Sequence, residues 1–453
     1  RSKYKKSLEE IVKNDSGIIV LLYHDGRGSG LGNYILSQKN FGLQTGVKTD
    51  SRDYDAVSQL LDHHLEGPQE INVLYSTSSK VPLEKALSNH GFRDINWVYS
   101  EEESKDLGHQ IISQRIHSAP YYLSDIGGQR LKFENHKQYI VSGIGSSEAH
   151  AKYLHYLTKK RSPEINIRFS PLTSLPDLAS QKATLILITQ GLSPNTHIAV
   201  KSWDYKNIIL ITSVTQENSH RQKQDIIKKL MSNQCPIYHF PVEDEYQTLM
   251  RVIGPLSGYY SIYKMLEKNN PISLEKEKSI LQCLRETKNK KPSQKFIRNI
   301  QKHRKLLLVF DYPTNQYYKN LVHKLEEGAF LFSIKTTDYL EFSHGVYQNC
   351  EYQYEHGAIT NLILFKTCSS TNHLMTQIKK MTQDRYPIWT IESKLEDLSI
   401  LEFEMVLNHF VLNWIKQEKI DQINWTGKNR QHHGYEIKSL DVNKRSENQT
   451  MNI

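Results

Sequence analysis

The chain has 453 residues, 38% of them hydrophobic, and a formal net charge of +9. At roughly 100–200 residues per domain that length predicts two to four domains, and the apolar fraction is enough for real cores. No RRM, zinc-finger or helix-turn-helix pattern is present, and no apolar run nears the ~18 residues of a membrane span, so nucleic-acid readers and membrane proteins are disfavoured.

Short Val/Ile/Leu-rich runs recur without alternation, each followed by a turn and a helical pattern. In chain order they are GIIVLLY (17–23), INVLYS (71–76), YIVSGIG (139–145), ATLILIT (183–189), NIILITS (207–213), KLLLVFD (305–311) and NLILFKT (361–367). Such runs predict buried parallel strands in successive α/β blocks. Residues 101–135, charged and with a Gly-Gly pair, read as a linker. The basic stretch 286–305 reads as a solvated connector helix, with phosphate attraction as the minor reading. The expected organisation is a module over 1–115, a block over 120–265, a helical basic connector over 266–305, a second block over 306–440 and a polar tail over 441–453. Cys235, Cys283, Cys350 and Cys368 form no C-x-x-C or C-x-C pair and read as scattered reduced thiols of a cytoplasmic protein. The chain begins with Arg1, as a fragment or a processed product would.

The first strand runs into LLYHDGRGSGLG (21–32), with glycines at 26, 28, 30 and 32. A Gly-rich turn after a strand lets backbone approach an anion. The dinucleotide fingerprint is not met, because its sixth position holds Leu31 or Asn33, and no Gly-Lys-Ser/Thr follows to complete a Walker loop. The loop, followed by TDSRDYDAVSQLL (49–61) and INVLYSTSSKVPLEKALSNHGF (71–92), resembles in order three segments of the GTP cyclohydrolase II family. The resemblance covers about residues 4–95. It implies a nucleotide role for Asp50 and Arg52, phosphate contacts from Arg27 and Lys80, and a link to riboflavin-type metabolism. The family's zinc is held by three cysteines that this chain lacks. No metal or other cofactor is therefore expected in the chain as given, and zinc enters only if such cysteines precede Arg1.

Two further turns share one design. YIVSGIGSSEAHAKYLHYL (139–157) and LILITQGLSPNTHIAV (185–200) each place hydroxyl-lined residues between a strand and a helix. N-capping alone accounts for one such turn. Two in a βαβ order make an anion cradle, with Ser146, Ser147, Thr189, Gln190 and Ser193 as the candidate ligands. The pair resembles the sugar isomerase (SIS) domain of phosphosugar isomerases and of glucosamine-6-phosphate synthase, over about residues 120–435. The resemblance implies two αβα sandwich subdomains with parallel sheets, a sugar-phosphate ligand and a homodimer. In KLEE (324–327) and EFSHG (341–345) it places the isomerase's helix and turn motifs on Lys324, Glu327 and His344, with Glu326 as an alternative to Glu327. A carboxylate base and a histidine proton carrier suit an aldose–ketose shift. An isomerase acting on a sugar phosphate or a ribosylaminopyrimidine phosphate is thus expected. The alternatives are a non-catalytic sugar-phosphate or nucleotide sensor, and a GTP cyclohydrolase II if the zinc cysteines lie upstream. Nucleic acid is an unfavoured partner, since the basic stretch offers only Phe296 for stacking.

Overall fold

A computed structural model of the chain describes residues 58–59, 61, 71–74, 87–89, 92, 95–98, 101–127, 129–175, 183–193, 207–215, 221–242, 245–267, 273–367, 372–382, 385–425 and 428. The chain divides into two units, residues 1–107 and 108–453. In the first unit, β1 (Ile71–Leu74) and β2 (Ile95–Val98) pair in parallel with Ile71 opposite Ile95. Parallel pairing needs a crossover between the strands, and Leu87 and Phe92 within it are buried. Arg27, Asp50, Arg52 and Lys80 lie outside the described residues.

The expected linker at 101–135 is instead mostly helix. Helix α1 (Glu101–Ser124) runs for 24 residues and tolerates Pro120 inside it. Ile112, Ile116, Ala119 and Leu123 recur at helical spacing and are buried. The stripe is diluted by charged and polar neighbours, which is why the segment looks like a connector.

The second unit holds two parallel sheets. The first takes β3 (Gln138–Ser142), helix α2 (Ser146–Arg161), β4 (Asn166–Phe169), β5 (Ala183–Thr189), β6 (Asn207–Thr212), α3 (Arg221–Ser232), β7 (Ile237–His239) and α4 (Ile253–Met265), with strand order β4-β3-β5-β6-β7. All seven residues of β5 are buried, as a central strand covered on both faces requires. The stretch read as a connector forms α5 (Leu274–Glu286) and α6 (Gln294–His303), N-capped by the Ser273 and Ser293 hydroxyls. It is not a solvated strut, because Ile280, Leu284, Phe296 and Ile300 are buried in the main core. The second sheet takes β8 (Lys305–Phe310), the short helix α7 (Lys319–His323), β9 (Ser333–Asp338), α8 (Val346–Glu355), β10 (Asn361–Lys366), α9 (Asn372–Thr382), β11 (Ile388–Glu392) and α10 (Ser399–Gln417), in the order β11-β10-β8-β9. Both sheets are parallel, and each has its first strand flanked by its second and third.

One hydrophobic core runs through both halves. It takes residues from the two sheets, from α2 and from α4 and α10 between them. Every residue of α4 except Lys264 is buried, and a helix apolar all round must sit between layers. The outer face of the first sheet packs on α3 through Ile226, Ile227 and Leu230. The outer face of the second packs on α8 and α9 through Cys350, Met375 and Ile378. Rings from both halves interlock in the centre: Tyr153 lies edge-on to Tyr259 at 5.1 Å and to Tyr317 at 4.9 Å. Asp397 of the second half receives the Lys160 ammonium at 2.6 Å and, on its carbonyl, the Tyr153 hydroxyl at 2.7 Å.

Candidate functional site

The chain leaves β3 towards β4 on one side and returns to β5 on the other. At such a switch point the loops diverge and open a crevice at the strands' C-terminal ends. The turn after β3 enters it tightly. A Cβ on Gly143 would lie 2.3 Å from the Ser147 carbonyl oxygen, so this position admits only glycine, and Gly145 has φ +61°. Helix α2 then starts with no side-chain cap, and its Ser147 and Glu148 N–H groups instead donate to the Ile144 and Gly145 carbonyls, each at 3.1 Å.

The structure brings Ser147 and Gln190 together. The Gln190 N–H donates to the buried Ser147 hydroxyl at 3.2 Å. The Gln190 carbonyl accepts from the Ser213 N–H at 3.1 Å and from the Ser213 hydroxyl at 2.6 Å. Its side chain lies against Gly254, where a Cβ would be 2.2 Å from Oε1. Ser146 begins α2 half-buried, Thr189 ends β5 buried, and Ser193 lies half-buried beyond Gly191. The five candidate ligands therefore share one strand-end region.

Helix α4 also begins at this edge, and sequence reading missed what holds it. The buried Glu245 carboxylate accepts the N–H groups of Val252 at 2.9 Å, Ile253 at 2.7 Å and Gly254 at 2.7 Å. An internal anion thus occupies that helix start. The Arg251 guanidinium donates to the carbonyls of Glu245 and Thr248 and stacks over the Tyr246 ring at 4.4 Å. A Cβ on Gly191 would collide with the Tyr246 hydroxyl at 1.8 Å, so Tyr246 joins Arg251 to the second turn. No short motif marks Glu245 or Arg251; only the fold gives them a role.

Residues 324–328 continue α7 as a single π-turn, the kind of irregularity that frequently accompanies sites. Lys324 is buried, and its ammonium donates to the Arg251 carbonyl at 2.9 Å and lies 3.0 Å from Glu404 Oε2. That ion pair lacks hydrogen-bond geometry, so both Glu404 oxygens have no hydrogen-bond donor. Burial raises the Glu404 carboxyl above its ordinary range, against the pull of Lys324. Glu327 keeps an open solvent face yet is hemmed in by protein. Desolvation pushes its pKa up, Arg251 and Lys324 work against that, and Glu326 adds to it. Glu326, raised by desolvation alone, has no cation acting on it. His344 is on the surface, at the end of the single turn Glu341–Ser343 that follows β9. Its side chain makes no hydrogen bond among the described residues, with Glu327 or any other group. The structure therefore groups Lys324, Glu327 and Arg251 and leaves His344 apart.

Among the described residues no cluster of three His, Cys, Asp or Glu could hold a metal. The described cysteines, Cys235, Cys283 and Cys350, are separate free thiols, and burial beside Glu402 pushes Cys283 up to about 11. No helix of the described residues is long and apolar enough to cross a membrane.

No protein-family model matches the chain. No curated protein matches it either. Solved structures similar to it include the C-terminal domain of glucosamine-fructose-6-phosphate aminotransferase from Francisella tularensis, at 10% identity and a TM-score of 0.49, covering 68% of this chain and 96% of that one. Another is tagatose-6-phosphate ketose/aldose isomerase from Escherichia coli, at 12% identity and a TM-score of 0.46, covering 71% and 94%. A candidate phosphosugar isomerase from Clostridium difficile 630 gives 12% identity and a TM-score of 0.49 over 76% and 99%. Likeness at this level carries no argument about what the chain binds, which rests on its own residues.

Proposed function

We propose that the crevice between β3 and β5 binds the phosphate of a sugar phosphate, and that the chain is an aldose–ketose type isomerase with Glu327 as its base. The observation that carries this is the junction of the two strand-end turns: Ser147 and Gln190 meet where an uncapped 16-residue helix begins. The hydroxyls of Ser146, Ser147, Thr189 and Ser193 and the Gln190 side-chain amide, beside the positive end of that helix, would hold the phosphate. Glu327, whose pKa burial raises, would take the proton from one carbon of the open-chain sugar and return it to the next. Arg251 faces the same carboxylate and would stabilise the enediolate oxygen between the two transfers. Lys324 fixes the turn that carries Glu327. His344 would serve a second copy of the chain, which is why a homodimer belongs to this reading.

The test is proton exchange. Hexose and pentose 6- and 5-phosphates, and a ribosylaminopyrimidine phosphate, would be incubated in D2O and followed by NMR for deuterium at the carbon next to the carbonyl. Wild-type exchange that is lost in E327Q and kept in E326Q supports the reading. Phosphate binding without exchange of any of these compounds would leave a phosphate sensor instead. The cyclohydrolase-II-like role of Arg27, Asp50, Arg52 and Lys80 rests on motif resemblance. Binding of GTP in equilibrium dialysis, lost in R52A, would support it as a nucleotide-binding role.

A further inference from the structure

The second sheet has the same switch point, between β8 and β10, but different contents. Asp311 is the first residue beyond β8, and Thr367 the first beyond β10. Asp311 Oδ2 accepts both the Thr367 N–H and the Thr367 hydroxyl, each at 2.5 Å. The side chain is fully enclosed, with 1% of its surface exposed. Its other oxygen, and the Thr314 hydroxyl nearby, are buried without a hydrogen bond. In the first sheet the N–H of the first residue beyond β5, Gln190, goes to a neutral serine hydroxyl, and α2 starts uncapped. In the second, only the turn Thr314–Gln316 and the five-residue α7 follow β8. Two donors that could face a ligand oxygen are turned instead onto a carboxyl group of the chain.

We propose that Asp311 is a built-in surrogate for a ligand phosphate, so that the second crevice is a latent anion site and each chain holds one working phosphosugar site. The carboxyl group fills the position sterically and takes the donors that an outside oxygen would need. A phosphate arriving there meets a carboxyl group, and the Thr367 N–H and hydroxyl are already taken. The idea rests on the reading of the first crevice, but the two can fail separately.

The probe is radiolabelled inorganic phosphate in equilibrium dialysis against the full chain. Wild type binds one phosphate, D311G binds two, and in S147A/D311G one of the two sites is about tenfold weaker while the other keeps its affinity. D311S reads the same count where the glycine variant does not fold, and D311N, which still fills the position, stays at one. A wild type that binds two phosphates overturns the proposal. So does D311G with a wild-type melting profile and no added site. A wild type that binds none refutes the first-crevice reading alone, and a rise from none to one in D311G would then still support the surrogate.

Discussion

Replacing Lys324 by Met tests the support of the acid–base turn. The Lys324 and Glu404 side chains are 2% and 0% exposed, with nitrogen and oxygen 3.0 Å apart. Removing one partner of such a pair leaves a buried charge with no counterion, at a cost of about 3–5 kcal/mol. The Arg251 carbonyl also loses its 2.9 Å donor, which costs roughly a further 1 kcal/mol. The loss depends on pH. Glu404's folded pKa is already raised, and without Lys324 it rises further, because that ammonium is what lowers it. A raised carboxyl pKa means the folded state keeps a proton that the unfolded chain has released. Stability is then highest below the unfolded value and falls as pH rises through the folded one, by about 1.4 kcal/mol for each unit between them. Urea unfolding of K324M at pH 5 and pH 7.5 should therefore show the larger loss at pH 7.5. The double variant K324M/E404L, which removes both charges, should return to within about 1–2 kcal/mol of wild type. The reasoning is refuted if K324M loses under ~1 kcal/mol, or if the double variant is no more stable than the single one.

Four other outcomes are expected. S147A leaves the Gln190 N–H unpaired and should weaken inorganic phosphate binding about tenfold, by a loss of roughly 1–2 kcal/mol in dialysis. R251M removes the cation that restrains Glu327, so the acid limb of any deuterium-exchange profile should move to higher pH; an unmoved limb rejects Glu327 as the titrating base. His150 is buried against the Pro255 carbonyl, and desolvation lowers its pKa to about 4. Its neutral form is favoured on folding, so stability should fall by up to ~3 kcal/mol as pH drops from about 6.5 to 4, and H150Q should flatten that slope in thermal melts. E245Q weakens the acceptor for three helix-start N–H groups and should cost about 2 kcal/mol by urea unfolding; a loss under ~0.5 kcal/mol would show that the cap contributes little.

The sheets of the second unit were readable because parallel strands buried on both faces carry a continuous apolar signal. ATLILIT became β5 residue for residue, the runs at 207, 305 and 361 became strands one residue shorter, and the run at 139 became a strand ending three residues earlier, at Ser142. Helix α1 was not read, because its charged start at 101–106 and the polar residues and Pro120 among its buried positions mask the apolar stripe. The Ser147–Gln190 junction was foreseeable, since both residues sit in turns that follow strands. Arg251 beside Glu327, the Glu245 cap and the Glu404 counterion were not. Each is set by packing between segments far apart in sequence, with no local pattern to betray it. Lys324 was singled out for chemistry, yet its place beneath the surface makes it a support for the turn.

The helical layer of α2, α4 and α10 belongs to neither sheet alone. A chain cut after residue 265 would keep α4 but strip it of α10, and Tyr153 would lose Tyr317. The two halves share one core, so they are expected to unfold together. If the β3–β5 crevice holds a phosphate as proposed, that ligand should raise the melting of both sheets together, and a sugar phosphate bound to one half would act as a folding ligand for the other.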